Sequence, residues 1–475
     1  MLTAVFAAFV FLSGVITGDW IGSAAAAVLV AGWFLLRVEE GPPVLFFAFA
    51  FQWVQVSIGI FYVALTGRTL TAIEASDYRP MVLIGLGCLL ALAAGVRLGI
   101  RFIEARYPTR PIDVEIFSMQ TLVVAYAVAA AAAGVVQQLA WQYPVFTQAI
   151  LAVSYLRLGL VFLLLRRLTR PSPHLIRIGM LLGVEVVLGL TGYFASFREP
   201  MILAAIALSE VFDRHRASHW ISAVAVTMAI TTLGMLWIGV RQEFRQDFFD
   251  VDMFAESRSM RLERMNTLTT EWVKRDKQEF LWDLDFLVDR IWAIYYPALA
   301  VQRVPRVLPH TNGAIIGSAL RHIVTPRVLF PNKAPLPSDS EMVRLYSGVY
   351  VAGAEEDTSI AFGYAAETYV DFGVPLMFGP VLLWGIFLGA AYQTLLVVIR
   401  HRELAVPLVT VIFWLSLFLF ERSWIKWMGL TGTLLIYLGG VTWLLDRWLM
   451  QRFTVEVAPP QLAPSTLRPA SREAP

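Results

Sequence analysis

The 475-residue chain has one cysteine, Cys88, set in an apolar run, which excludes both a disulfide framework and a thiolate metal site. Charge is scarce: 16% of residues are Asp, Glu, Lys or Arg against 57% hydrophobic, and mean hydropathy is +0.64. Those values exclude an ordinary soluble globular domain. The formal net charge of +2 names no partner by itself, and no nucleic acid is expected. There is no phosphate-binding glycine loop and no dinucleotide fingerprint, so no nucleotide or redox cofactor is expected. The six histidines are scattered, and the acids Glu355, Glu356 and Asp357 lack ligand spacing, so no metal site is expected either.

Apolar stretches are what the chain has in abundance. A hydrocarbon layer of about 30 Å needs roughly 20 residues of helix. Such stretches fall near 2–18, 20–36, 43–65, 80–99, 118–140, 145–165, 175–195, 199–212, 219–240, 374–398, 404–420 and 427–445. The expected class is an all-α polytopic membrane protein with about 12 transmembrane helices and one large helical and loop insertion. Residues 1–18 lack a basic n-region and read as a first span, not a cleaved signal peptide.

Arginines sit on alternate connections: Arg97, Arg101, Arg106 and Arg110; Arg166, Arg167 and Arg170; Arg214 and Arg216; Arg400 and Arg402; Arg447 and Arg452. The positive-inside bias makes these cytoplasmic, with both termini inside and the large loop outside. The expected order is spans one to nine over 1–240, a periplasmic loop over 241–373, spans ten to twelve over 374–447, and a disordered cytoplasmic tail over 448–475. Within the spans, Arg157 and Glu185 lie at a similar depth, ~12–14 Å from the cytoplasmic arginines, so the two can meet. A packing ion pair and an ion pathway are both open.

The loop holds 34 of the 74 charged residues in little more than a quarter of the length. Residues 241–290 read as amphipathic helix capping the bundle. Residues 295–336 carry Arg303, Arg306, His310, Arg321, His322, Arg327 and Lys333 and not one acid, and their prolines present side chains from loops and short helices. Guanidinium forks pair with phosphate and carboxylate oxygens, so the segment suits anion recognition or lipid headgroups. Glu367 stands just before the next membrane entry, where partial desolvation favours a raised pKa and proton transfer.

Four short motifs in this order resemble the bacterial oligosaccharide repeat unit polymerases, the O-antigen polymerase family. They are Ser196-Phe-Arg198-Glu-Pro200, Gly239-Val-Arg241, Pro326-Arg327-Val-Leu-Phe-Pro331-Asn-Lys333 and Glu367-Thr-Tyr-Val-Asp-Phe-Gly373. The likeness covers about 190–400; the first half matches only as a stack of spans. Arg306 and Gly317 also meet the family's arginine-to-glycine spacing, whereas Arg198 and Arg241 depart from it, with Ser209 and Asp252 at the corresponding places.

The resemblance implies metal-independent glycosyl transfer at the outer face of the bacterial inner membrane. Undecaprenyl-pyrophosphate-linked glycans would be both donor and acceptor, with a flippase and a chain-length regulator as companions. The candidate anion-binding residues are Arg198, Arg241, Arg306, Arg327, Lys333 and Arg422. Glu367 is the first candidate base and His310 the second. Structural roles stay open: Glu367 as partner of an arginine, His310 on a loop carbonyl, Arg422 as an interfacial anchor beside Trp424 and Trp427. A glycan ligase and a polytopic transporter or flippase are the rival functions.

Overall fold

The computed structural model describes residues 2–453, apart from 39–40, 109–110, 144–145, 171–173, 191–196, 214, 250–257, 326–329, 331, 334–337 and 357. The described residues form helices, turns and one isolated bridge, Ile112 to His401, so the expected all-helical class is observed. The chain begins with α1 (Leu2–Thr17), α2 (Trp20–Leu36), α3 (Val44–Thr66), α4 (Thr71–Ala75), α5 (Arg79–Glu104) and α6 (Met119–Gln142). It continues with α7 (Thr147–Ser154), α8 (Leu156–Thr169), α9 (Leu175–Leu190), α10 (Arg198–Glu210) and α11 (Ala217–Phe249). The insertion holds α12 (Arg258–Val273), α13 (Lys277–Ile291), α14 (Tyr295–Arg303), α15 (Ala314–Val324), α16 (Asp339–Ser347) and α17 (Gly363–Phe372). Last come α18 (Phe378–Val398), α19 (Arg402–Leu417), α20 (Trp424–Thr433) and α21 (Gly439–Phe453), the final pair joined by a π segment, Leu434–Leu438.

Among the described residues six stretches are long and apolar enough to cross a membrane: Val44–Thr66, Arg79–Glu104, Thr147–Thr169, Ala217–Phe244, Phe378–Val398 and Trp424–Gln451. The remaining apolar runs form shorter helices, among them Ala4–Thr17, Trp20–Leu36 and Met119–Ala133. α11 carries the apolar stretch expected over 219–240 and continues beyond it. With no proline or glycine after Gly239 to break it, it runs 33 residues to Phe249 and carries Arg241 past its apolar part. The expected amphipathic helix over 241–290 is the end of α11 followed by two separate helices, α12 and α13, and α13 opens on a capping box in which Asp276 and Glu279 bond each other's backbone N–H. The expected tail falls on 454–475, outside the described residues.

Two features organise the bundle. α5 and α18 run side by side with glycines facing: a Cβ at Gly95 would lie 2.2 Å from Leu382 O, at Gly99 2.1 Å from Ile386 O, and at Gly389 2.0 Å from Val96 O. Paired small-xxx-small motifs, Gly95 with Gly99 and Gly385 with Gly389, allow this backbone contact. α19 is apolar and buried on nearly every side, a central post against α3 and α8. The anticipated pair in the spans does meet: Arg157 Nη1 donates to both oxygens of Glu185 at 2.6 Å, and Tyr126 adds a bond at 2.7 Å. Glu185 is buried and bonded by both partners, so its charge is compensated inside the bundle.

Candidate anion site at the turn after α19

The 418–424 turn, which joins α19 to α20, is held from several directions. Two buried amides on α3 reach it. Gln52 donates to Leu417 O, while Gln55 donates to Phe418 O at 2.6 Å and accepts from Phe420 N–H at 3.1 Å. Tyr364 of α17 donates to Gln52 Oε1 at 2.9 Å. α17 itself starts against the turn because Gly363 has φ +88° and no Cβ; one would sit 2.6 Å from Phe420 O. The Trp424 backbone N–H donates to Glu367 Oε2 at 2.8 Å, and its indole N–H to Thr368 at 2.7 Å. These bonds tie the backbone of the turn to α3 and α17, which fixes its shape, while the buried Ser423 Oγ has no hydrogen-bond partner among the described residues.

Arg198 and Arg422 share one ring of this turn: their guanidinium carbons lie 4.8 and 5.3 Å from the centroid of Phe418. Arg422 donates through Nη1 to Leu415 O at 2.6 Å and Ser416 O at 3.2 Å, capping α19. Burial, with the Arg198 charge adding to it, pushes the Arg422 guanidinium down to about 10. Arg198 Nη2 donates to Glu199 at 2.9 Å, but its buried Nε has no hydrogen-bond partner among the described residues. Two close guanidinium groups with an orphaned donor favour an anion between them.

An apolar crevice of about 440 Å³ lies between α3, α10, α11 and α19, one residue layer from this pair. Its wall includes Trp414, stacked on Phe418 at 5.2 Å and 18°, and Ile202, one turn beyond Arg198 on α10. On the other side of the turn lies a polar cavity of about 570 Å³, where Arg241, Arg290, Glu421, Tyr295 and Tyr296 are brought together. Arg290 grips Glu421 with two bonds of 2.9 Å, and the carboxylate holds its guanidinium above the ordinary arginine range.

Glu367 is buried, 4% exposed, and among the described residues forms no salt bridge with a candidate arginine. Burial raises its carboxyl to about 8; the Trp424 N–H opposes this, and the charges of Asp339 and Asp371 add to it. His310 lies against α17. Its Nδ1 is 3.2 Å from Val370 O, and the ring packs edge-on to Tyr369, at the far end of α17 from the turn. Arg306 is exposed in the same region. Lys333 donates to His322 O at the end of α15, and Arg327 lies outside the described residues. Of the trio of acids, Glu355 bonds Arg344 and Tyr350, Glu356 bonds Tyr350, and Asp357 is outside the described residues.

Arg198, Arg422 and Glu367 therefore gather on one turn, Arg241 faces the adjoining cavity, and Arg306, His310 and Lys333 stand apart. Gln52, Gln55 and Arg290 were not foreseen as parts of the site. Two amides three residues apart in an apolar span are a legible signal, because polar groups in a span need a reason. No family model, curated protein or solved structure matches the chain, so its kinship rests on its own residues.

Proposed function

We propose that the chain joins lipid-pyrophosphate-linked oligosaccharide repeat units into a longer surface polysaccharide, at the membrane face on which the insertion lies. The observation that carries this reading is the Arg198–Phe418–Arg422 cluster beside an apolar crevice. A polyprenyl pyrophosphate has that form: a doubly charged head and a long apolar tail. The head takes the orphaned Arg198 Nε and the Arg422 guanidinium; the tail lies along α10 toward Phe212, ten residues or ~15 Å of helix from Ile202.

In the reaction an acceptor sugar hydroxyl attacks the anomeric carbon of the donor glycan. The new glycosidic bond forms as the carbon–oxygen bond to the pyrophosphate breaks, and the pyrophosphate leaves on its lipid with the electron pair. The arginine pair stabilises the charge that grows on the leaving group. Glu367, once deprotonated, accepts the hydroxyl proton. The cavity with Arg241, Arg290, Tyr295 and Tyr296 receives the glycan, since aromatic faces and fixed charges suit sugar rings and their hydroxyls.

Loss of the arginine pair tests this. In cells that depend on this chain for long glycans, Arg198→Gln with Arg422→Gln leaves the protein in the membrane but removes the glycan ladder. Arg422→Gln alone weakens it by at least ~100-fold, as expected for one charge-stabilising donor. A ladder of normal length in the double variant would sink the assignment. Unaltered ladders together with lost solute uptake by everted vesicles would favour a carrier instead.

A further inference from the structure

A second charged cavity, about 690 Å³, opens at the opposite end of the bundle. Four arginines line it: Arg37 just after α2, Arg97 near the end of α5, Arg400 between α18 and α19, and Arg402 at the start of α19. Glu104 is the one acid among its described lining residues; Glu39 and Glu40, next to Val38 in sequence, lie outside them. Among the described residues Arg37, Arg97 and Arg400 form no ion pair, and the bond from Arg97 Nη1 to Arg37 O is long, 3.5 Å. Holding Arg37, Arg97 and Arg400 in one cavity whose described lining offers the single carboxylate of Glu104 costs free energy that a bound anion offsets.

A second observation points to a ligand there. Gln393 lines the cavity, is 3% exposed, and its Oε1 has no hydrogen-bond partner among the described residues. A buried amide oxygen without a donor is costly, so a hydroxyl arriving with the anion would stabilise it. The flank is apolar, formed by Val38, Leu396, Ile399 and Phe34, and Phe34 is 55% exposed on the outside of the bundle. Arg37, Arg400 and Arg402 stand at helix ends, the level at which a bilayer presents its headgroups, and Arg97 reaches the cavity from two turns inside the end of α5.

We propose that this cavity binds the phosphodiester headgroup of an anionic phospholipid. The phosphate lies among the four arginines, a headgroup hydroxyl donates to Gln393 Oε1, and an acyl chain follows Phe34 and Leu396 into the bilayer. Basic pockets between helix ends hold lipid headgroups by this combination of charge and apolar wall. The site touches α2, α5, α18 and α19, so a bound lipid braces the junction of the two glycine-packed helices with the central post.

Native mass spectrometry of the full chain, delipidated and then offered phosphatidylglycerol or phosphatidylcholine of the same acyl chains, tests it. The chain retains phosphatidylglycerol in preference. Arg97→Gln with Arg400→Gln lowers that retention roughly thirtyfold, about fivefold for each charge. Arg101→Gln with Arg106→Gln removes the same charge outside the cavity and lowers retention by less than about twofold. Should the first double variant fail to fold, its single variants carry the same comparison. Equal loss in both double variants would reduce the effect to general surface charge and overturn the proposal. Binding of free glycerol phosphate without lipid preference would overturn the lipid assignment.

Discussion

Glu367 links two pH dependences of opposite sign. Its carboxyl titrates near 8 in the folded chain against an ordinary 4.5, because burial penalises the charged form. The folded state therefore holds this proton more tightly than the unfolded one. The associated stability is complete below about 4.5 and is lost as pH rises through 8. The thermal midpoint should fall between pH 6 and pH 9, and Glu367→Gln, which keeps an acceptor for the Trp424 N–H, should flatten that part of the profile. The proposed glycan joining would run the other way: a base must be deprotonated, so the rate should climb through pH 8 and vanish in Glu367→Gln. Unchanged stability and rate profiles in the variant would remove Glu367 from the site.

At the scale of elements, the α5–α18 contact sets the frame from which the insertion hangs, since α18 follows directly on α17 and its turn. Backbone-to-backbone packing leaves no room for a side chain. Gly389→Ala, whose Cβ would meet Val96 O at 2.0 Å, should cost about 1–3 kcal/mol of stability in detergent unfolding. Gly379→Ala, with nothing within 4 Å of its Cβ, should be neutral or slightly stabilising. Equal effects would mean that the glycines do not set the contact. These elements differ in how legible they were. Apolar runs mark the helices, because hydropathy acts locally along the chain, but not where each helix stops: charge at Arg241 ends the apolar run of α11 without ending the helix. Arg198, Arg422 and Glu367 stood out as charges beside spans. Gln52 and Gln55 disappeared into an apolar average, and the Arg290–Glu421 pair, 131 residues apart, has no local trace.

For the molecule as a whole, the two ends of the bundle carry different charge chemistry. One end has arginines gathered in a cavity beside helix termini; the other has a turn where cations, a buried carboxylate and an apolar crevice adjoin. That polarity suits a protein that meets an amphiphile at one face and is braced at the other. The most direct measurement uses purified chain reconstituted in vesicles with a synthetic polyprenyl-pyrophosphate-linked repeat unit and no other protein. Products at two, three and more repeat units, absent from the Arg198→Gln, Arg422→Gln double variant, are the predicted result. Substrate that crosses the bilayer unjoined, or joins equally well without the arginine pair, would contradict it.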